Sequence, residues 1–250
     1  YPCILIGNRT ILSTDSAFDA LLWKEEFLLD ILRETVIDDS IRMSQSEFND
    51  DVWRILSRID SDIFNILNGC CTKLGNFINN NQPFRGLITG LNEAFIINEE
   101  TRSKLIAEDA SCEKYLRPIF RGRDLGRWKP DWSSNYLISI PSSSNQRHPW
   151  KNMSEHDAET TFSKLHPSIY THLFGYKTKL KKRDDQGKYY WELRACVYWD
   201  LFIKPKIIYS DISKRPQFSM DNEKFLCVNT CYFLASDSEW ICALMNSKLS

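Results

Sequence analysis

Residues 82–136 read QPFRGLITGLNEAFIINEETRSKLIAEDASCEKYLRPIFRGRDLGRWKPDWSSNY. Gly86 and Gly90 bracket a short apolar run, and a second apolar run, 94–97, follows an Asn-Glu pair. This spacing predicts two strands with a tight polar turn between them. A helix is expected to open at Thr101, so the stretch favours a fold in which strands and helices are mixed.

The second half of this stretch is strongly basic. It carries a local charge of +4 over residues 117–129, where Asp124 is the only acid, and it also holds Trp128 and Trp132. Guanidinium groups fork onto phosphate oxygens and guanine edges and stack on flat rings, so the cluster suits a polyanion. A solvated basic turn or an internal ion-pair network is the alternative. The five cations are Arg117, Arg121, Arg123, Arg127 and Lys129.

A second basic segment, 177–194, also has a local charge of +4, and aromatic residues interleave with its basic residues at Tyr189, Tyr190 and Trp191. Its cations are Lys177, Lys179, Lys181, Lys182, Arg183, Lys188 and Arg194. A cationic helix end with buried rings after it would give the same pattern. Two such segments in one region favour nucleic acid as the ligand.

The amino-acid sequences of several segments resemble those of a known family. GLITGLNEAFII, TRSKLI, YLRPIFRGRDLGRW, NYLISIP, IKPKIIYSDI and CALMNSKL occur in order over about residues 80–250. Together they resemble the specificity region of TaqI-like adenine-specific DNA methyltransferases and of the related fused restriction-modification enzymes. In that family the region is the target-recognition domain, which binds the DNA site while a separate Rossmann-like domain methylates the adenine.

The resemblance implies double-stranded DNA as the partner, together with the missing methyltransferase domain of the same chain. Arg121 and Asp124 could instead form a structural pair inside the fold. GLITGLNEAFII is interpreted as a structural signature, with the bases read elsewhere. The candidate DNA-binding residues are Arg121, Arg123, Arg127, Lys129, Lys179, Lys181, Lys182, Arg183 and Arg194.

The sequence predicts no catalytic residue in this chain. An adenine methyltransferase needs a pocket for S-adenosylmethionine and an Asn-Pro-Pro-Tyr type of motif for the flipped base, and neither is found. We therefore expect no cofactor in this chain. The parent enzyme is expected to bind S-adenosylmethionine, and also Mg²⁺ if it cleaves DNA. A protein-interaction module that docks its basic patch on another subunit is the alternative function, and a nuclease is a third.

Composition limits the class of protein. The 250 residues are 42% hydrophobic and 26% charged with a net charge of −1, as in ordinary globular chains. Residues 1–65 hold 6 Lys and Arg against 13 Asp and Glu, whereas residues 66–250 hold 26 against 20. No membrane span or signal peptide is recognised, which predicts a cytoplasmic protein. The 8 cysteines form no CxxC pair, so no metal site is expected.

The first part of the chain is expected to be a helical lead-in. Residues 16–36 read as one helix with Ser16 and Asp19 as a capping box, and the apolar phase from Phe48 predicts a second helix, firmest over 60–68. Ser44 and Glu47 would cap this second helix and Gly69 would stop it. The domain boundary is placed at Asn79–Asn81, giving 1–80 as the end of the methyltransferase region with a linker and 81–250 as the recognition domain. The chain lacks an initiator Met, so it is interpreted as a fragment whose recognition domain is truncated at its C-terminus.

The rest of the chain completes an α+β prediction. Residues 142–161 are polar and are expected to form a surface loop with exposed histidines, after which Pro167 starts a helix. The segments LFIKPKIIYSDI and FSMDNEKFLCVNTCYFLA predict strands, with Asp221-Asn222 as a hairpin turn. A final helix is expected in EWICALMNSKL.

Overall fold

The chain contains both helices and sheets in a mixed arrangement, which confirms the predicted α+β class. The computed structural model describes residues 16–23, 29–45, 54–78 and 83–247. The chain divides into two compact units, Tyr1–Lys73 and Leu74–Ser250. The predicted boundary at Asn79–Asn81 lies outside the described residues.

The first unit contains a two-stranded antiparallel sheet. Strands β1 (Ala17–Ala20) and β2 (Ile41–Ser44) pair with Phe18 opposite Met43, and Arg42 forms a 2.9 Å ion pair with Asp19. Helix α1 (Leu32–Asp39) lies between the two strands in the chain. The prediction of one helix over 16–36 is therefore wrong in its first part, because cross-strand pairing to a distant segment overrides the local helical spacing.

Helix α2 (Arg58–Cys70) confirms the helix predicted over 60–68. The Ser57 hydroxyl accepts a 3.2 Å hydrogen bond from the amide of Asp60, which satisfies one of the free amides of the first turn. The helix ends one residue after the predicted stop at Gly69. Ser44 belongs to β2 rather than to a helix cap, while Phe48 and its predicted cap partner Glu47 lie outside the described residues.

The second unit is built on two four-stranded sheets. The first has the order β3-β10-β7-β8 and is antiparallel throughout, with β3 Phe84–Arg85, β7 Lys206–Ser210, β8 Phe218–Asp221 and β10 Cys231–Leu234. The second has the order β4-β6-β5-β9 and ends in a parallel pair, with β4 Ile96–Asn98, β5 Leu116–Phe120, β6 Asn135–Ile138 and β9 Leu226–Cys227.

Six α-helices accompany these sheets among the described residues. They are α3 Asn92–Phe95, α4 Glu99–Glu108, α5 Glu155–Leu165, α6 Pro167–Phe174, α7 Lys177–Leu180 and α8 Glu239–Met245. Pro167 is the first residue of α6, as predicted. Helix α4 opens at Glu99, two residues before the predicted start, because the Asn98 side chain accepts a 2.9 Å hydrogen bond from the amide of Thr101. The strand-rich end and the final helix are also confirmed.

The GLITGLNEAFII segment does not form the predicted pair of strands around a tight turn. β3 pairs with β10 and β4 pairs with β6, and α3 precedes β4. Leu87 instead forms an isolated bridge with Val228. Gly90 has a φ of +67°, a conformation that favours glycine, and a Cβ there would meet the carbonyl oxygen of Asp185 at 2.8 Å. The glycines therefore allow close packing between backbones, which agrees with a structural role for this motif.

The predicted surface loop 142–161 is partly interior. Ser142, Ser143 and Trp150 are buried, and α5 already begins at Glu155. The carboxylate of buried Glu192 holds this segment, since it accepts hydrogen bonds from the amide of Ser143 (3.1 Å) and the indole of Trp150 (2.9 Å). Polar groups of this segment therefore serve as hydrogen-bond donors to a buried carboxylate.

The hairpin turn predicted at Asp221-Asn222 is wrong. β9 joins the other sheet, parallel to β5, and β8 pairs with β7. Asp221 instead forms a fully buried ion pair with Lys206, its cross-strand partner. The Lys206 ammonium also donates to the carbonyls of Phe202 and Phe225 at 2.8 Å each, so all three of its protons have acceptors.

Replacing Lys206 by Met should destabilise the second unit by about 3–5 kcal/mol, because the Asp221 carboxylate would be left buried without a cation. Equilibrium unfolding in urea, followed by tryptophan fluorescence, measures this loss. Lys204→Met is the matched control, since Lys204 is exposed two residues away on the same segment, and it should change stability by less than about 0.5 kcal/mol. Equal stabilities of the two variants would contradict a structural role for the buried pair.

Candidate nucleic-acid interface

Residues 121–134, here called the arginine loop, are organised around the buried carboxylate of Asp124. Its Oδ2 accepts from the amide and Nε of Arg121 at 2.7 and 3.3 Å, and its Oδ1 accepts from the Ser133 hydroxyl at 2.7 Å. Burial acts to raise the pKa of Asp124, but the hydrogen bonds from Arg121 and Ser133 outweigh it and hold the pKa below its usual value. Arg121 and Asp124 thus form a structural pair, the second of the two possibilities left open by the sequence.

Backbone hydrogen bonds attach the arginine loop to β8. The amide of Trp128 donates to the carbonyl of Phe218 (2.9 Å), and the amide of Met220 donates to the carbonyl of Trp128 (3.1 Å). Trp128 has a φ of 79°, a strained value for a residue with a side chain. The two hydrogen bonds hold it in this conformation, and its indole remains 48% exposed.

Three cations of the arginine loop face outward. Arg123, Arg127 and Lys129 are exposed, and the guanidinium of Arg127 lies 5.2 Å from the centre of the Trp128 ring. One guanidinium nitrogen of Arg127, Nη2, donates to the carbonyl of Asn246 at the end of α8. Within the described part of the chain, none of the three forms an ion pair. Their charge is therefore available to an anionic ligand.

The loop between β7 and β8, residues 211–217 and here called the hairpin loop, lies beside the arginine loop. Its two ends are fixed there, since a Cβ on Gly122 would lie 2.8 Å from Ser210 Oγ and Phe218 is bonded to Trp128. Lys214 and Arg215 are exposed on this loop. Sequence reasoning missed both, although a Lys-Arg pair between two predicted strands was a usable signal.

The arginine loop and the hairpin loop together form one basic surface, here called the loop face. Its exposed acids are Asp131 and Asp211. Its exposed cations are Arg123, Arg127, Lys129, Lys214 and Arg215. This density of exposed cations beside an exposed tryptophan is suited to a phosphate backbone.

The second basic segment differs, because acidic side chains pair with most of its exposed cations. Lys179 pairs with Glu93 at 2.7 Å and Lys181 pairs with Glu155 at 2.6 Å. These carboxylates raise the pKa of each lysine through their hydrogen bonds. Two further pairs are Lys177–Glu159 (2.5 Å) and Arg194–Asp185 (2.8 Å), so four of the seven cations are paired. Lys182 and Lys188 are exposed, and neither forms an ion pair among the residues that the structure describes.

Arg183 lies inside the protein. Its guanidinium donates to the carbonyls of Thr89, Tyr190 and Glu192 and lies 4.6 Å from the centre of the Phe95 ring. Burial lowers the pKa of Arg183 to about 10. We assign Arg183 a structural role that ties the GLITG segment to residues 190–192, because its guanidinium is not available at the surface.

Neither metal ligands nor membrane segments stand out in the described parts of the chain. No group of three or more His, Cys, Asp and Glu side chains in residues 16–23, 29–45, 54–78 and 83–247 could hold a metal ion. None of the helices in those ranges is long and apolar enough to cross a membrane.

Comparison with known proteins identifies the second unit. A family model described as the TaqI-like C-terminal specificity domain matches residues 117–250, more than half of the chain. No curated protein matches the chain. Among solved structures, the complex of the Type IIL restriction-modification enzyme MmeI with DNA matches at 12% identity and a TM-score of 0.44. The match covers 66% of this chain and 20% of that chain, so the chain spans about a fifth of that enzyme.

Replacing Asp124 by Ala should open the arginine loop at a cost of about 1–3 kcal/mol, because the amide and guanidinium of Arg121 and the hydroxyl of Ser133 would lose their buried acceptor. We expect trypsin to cleave after Arg123 and Arg127 at least about tenfold faster, since cleavage follows the population of the opened loop. Asp131→Ala removes an exposed acid of the same loop and should leave the cleavage rate unchanged. Mass spectrometry of the early fragments measures the rates, and equal rates in both variants would show that Asp124 does not organise the loop.

Proposed function

The chain belongs to the family of TaqI-like C-terminal specificity domains, and on that premise we propose that it binds duplex DNA as the target-recognition part of a larger enzyme. The parent would be an adenine-specific DNA methyltransferase or a fused restriction-modification enzyme. The observation that carries the proposal is the loop face, where five exposed cations lie on two adjacent loops that are fixed to one sheet edge.

Electrostatics supports duplex DNA as the ligand. Each cation that neutralises a phosphate releases condensed counterions, and this release supplies much of the affinity. The loop face concentrates five exposed cations against two exposed acids, Asp131 and Asp211, at one end of β7 and β8. The rigid attachment of both loops keeps the spacing of the cations fixed, so less conformational entropy is lost on binding.

The proposal assigns different roles to the basic residues. Arg123, Lys129, Lys214 and Arg215 contact phosphates, and Arg127 with the adjoining Trp128 lies against the sugar-phosphate chain or a base edge. Arg121 and Arg183 act inside the fold. The second basic segment contributes at most the rim of the interface. Lys179, Lys181 and Arg194 are paired with acids, and Lys182 is exposed.

The chemistry of the parent enzyme lies outside this chain in the proposal. The chain would grip and orient the DNA site, and another domain would flip the adenine and transfer the methyl group. S-adenosylmethionine would bind to that domain, as would Mg²⁺ if the parent also cleaves DNA.

Replacing Arg123, Lys129 and Arg215 together by Gln should weaken binding to a fluorescein-labelled duplex by on the order of a hundredfold at ~50 mM salt. The slope of log K against log salt should become shallower by about 0.9 for each phosphate that the variant no longer neutralises. Fluorescence anisotropy over a series of salt concentrations measures both quantities.

A control variant removes the same charge from the second basic segment. Lys179, Lys181 and Arg194, all changed to Gln, should lower the affinity by less than about tenfold, because these cations are already paired. If the control weakens binding as much as the loop-face variant, net charge rather than the loop face drives binding. If the wild-type chain binds no duplex but captures a purified subunit, the proposal fails in favour of a protein-interaction module.

A further inference from the structure

The hairpin loop carries an exposed apolar side chain near its start, beside β7. Ile212 is 89% exposed, and only Val197, at 93%, is more exposed among the large apolar side chains that the structure describes. The next most exposed, Ile59, is at 72%. A single exposed apolar residue needs no explanation by itself, so the surroundings of Ile212 carry the argument.

The hairpin loop holds Ile212 in an ordered position. The Ser210 hydroxyl donates to the carbonyl of Ile212 (3.0 Å), and the amide of Asp211 donates to the carbonyl of Thr230 (2.9 Å). On the other side, the Ser213 hydroxyl donates to the carbonyl of Arg215 at 2.6 Å. Ile212 therefore projects from a loop whose backbone is bonded on both sides of it.

Exposed cations lie on the same loop as Ile212 and on the loop beside it. Lys214 and Arg215 follow Ile212 in the chain, and the neighbouring arginine loop carries Arg123 and Arg127. A polyanion held by Lys214 and Arg215 would contact the loop that carries the isoleucine. Apolar side chains such as Ile act as wedges between base pairs when flanking phosphate contacts hold the duplex in place.

We propose that Ile212 inserts between neighbouring base pairs and unstacks them. This inference rests on the proposed function and adds a mode of binding to it. Unstacking one step lowers the cost of turning the adjacent nucleotide out of the helix, which the chemistry of the parent requires. Ile212 would then be a positioning residue that acts through the DNA and does not touch the reacting atoms.

The test compares an intact duplex of about 30 base pairs with the same duplex carrying a one-nucleotide gap at its centre, each labelled with fluorescein. A gap removes stacking that the wedge must otherwise break, so the wild-type chain should bind the gapped duplex roughly tenfold more tightly. Ile212→Ser should bind both duplexes equally, with its affinity for the intact duplex nearly unchanged. Ile212→Leu should keep the preference, because it keeps the apolar volume.

Val197→Ser is the matched control, since it removes an equally exposed β-branched side chain from a segment outside both loops and should preserve the preference. A 2-aminopurine placed beside the gap gives an independent readout: its fluorescence should rise on binding of wild type and of Val197→Ser, but not of Ile212→Ser. Both serine substitutions are at exposed positions, and circular dichroism checks that each variant is folded.

The outcomes separate the two proposals. A wild-type chain that binds neither duplex overturns the proposed function. A wild-type chain that binds both duplexes equally, or an Ile212→Ser variant that keeps the preference and the fluorescence rise, overturns the wedge while duplex binding stands.

Discussion

The ammonium of Lys206 is fully buried, and the stability of the second unit depends on the hydrogen-bond acceptors that surround it. Desolvating a charge is costly unless its partners fit, and here Asp221 and two backbone carbonyls supply every acceptor. Because Lys206 and Asp221 are cross-strand partners, the ion pair fixes the register of β7 against β8. A slip by one residue would bury an unpaired charge and turn each side chain of the hairpin to the other face. The same register sets the length of the hairpin loop and its position beside the arginine loop.

The two basic segments show why local charge does not identify a binding surface. Both have a net charge of +4. Among the described residues, the outward cations of the first segment form no ion pair, whereas four of the seven cations of the second are paired with acids. The acids that neutralise the second segment, Glu93, Glu155 and Glu159, come from α3 and α5 and are brought to it only by folding. In the first segment the single acid, Asp124, is buried and engaged by Arg121, so it opposes none of the outward-facing cations.

Sequence reasoning succeeded where structure is decided locally. The apolar phase of α2, Pro167 at the start of α6 and the strand-rich region near the C-terminus were all predicted in this way. It failed where residues distant in sequence determine the local structure. Pairing with β2 makes residues 17–20 a strand, and hydrogen bonds to Glu192 place part of the polar segment 142–161 in the interior. The candidate site was predicted in part: Arg123, Arg127 and Lys129 lie on the loop face. Lys214 and Arg215 were missed because their proximity to that cluster follows from the sheet topology.

The attachment of the arginine loop to β8 has an evolutionary consequence. At Trp128 the connection is made by main-chain hydrogen bonds, and within the part of the chain that the structure describes the side chains of Arg123 and Lys129 form no hydrogen bond or ion pair that holds the loop. Substitutions at Arg123 and Lys129 would therefore change the side chains on the surface without changing the position of the loop. In the proposed DNA-binding role, a new sequence preference could then arise one residue at a time, and the scaffold would stay unaltered at each step.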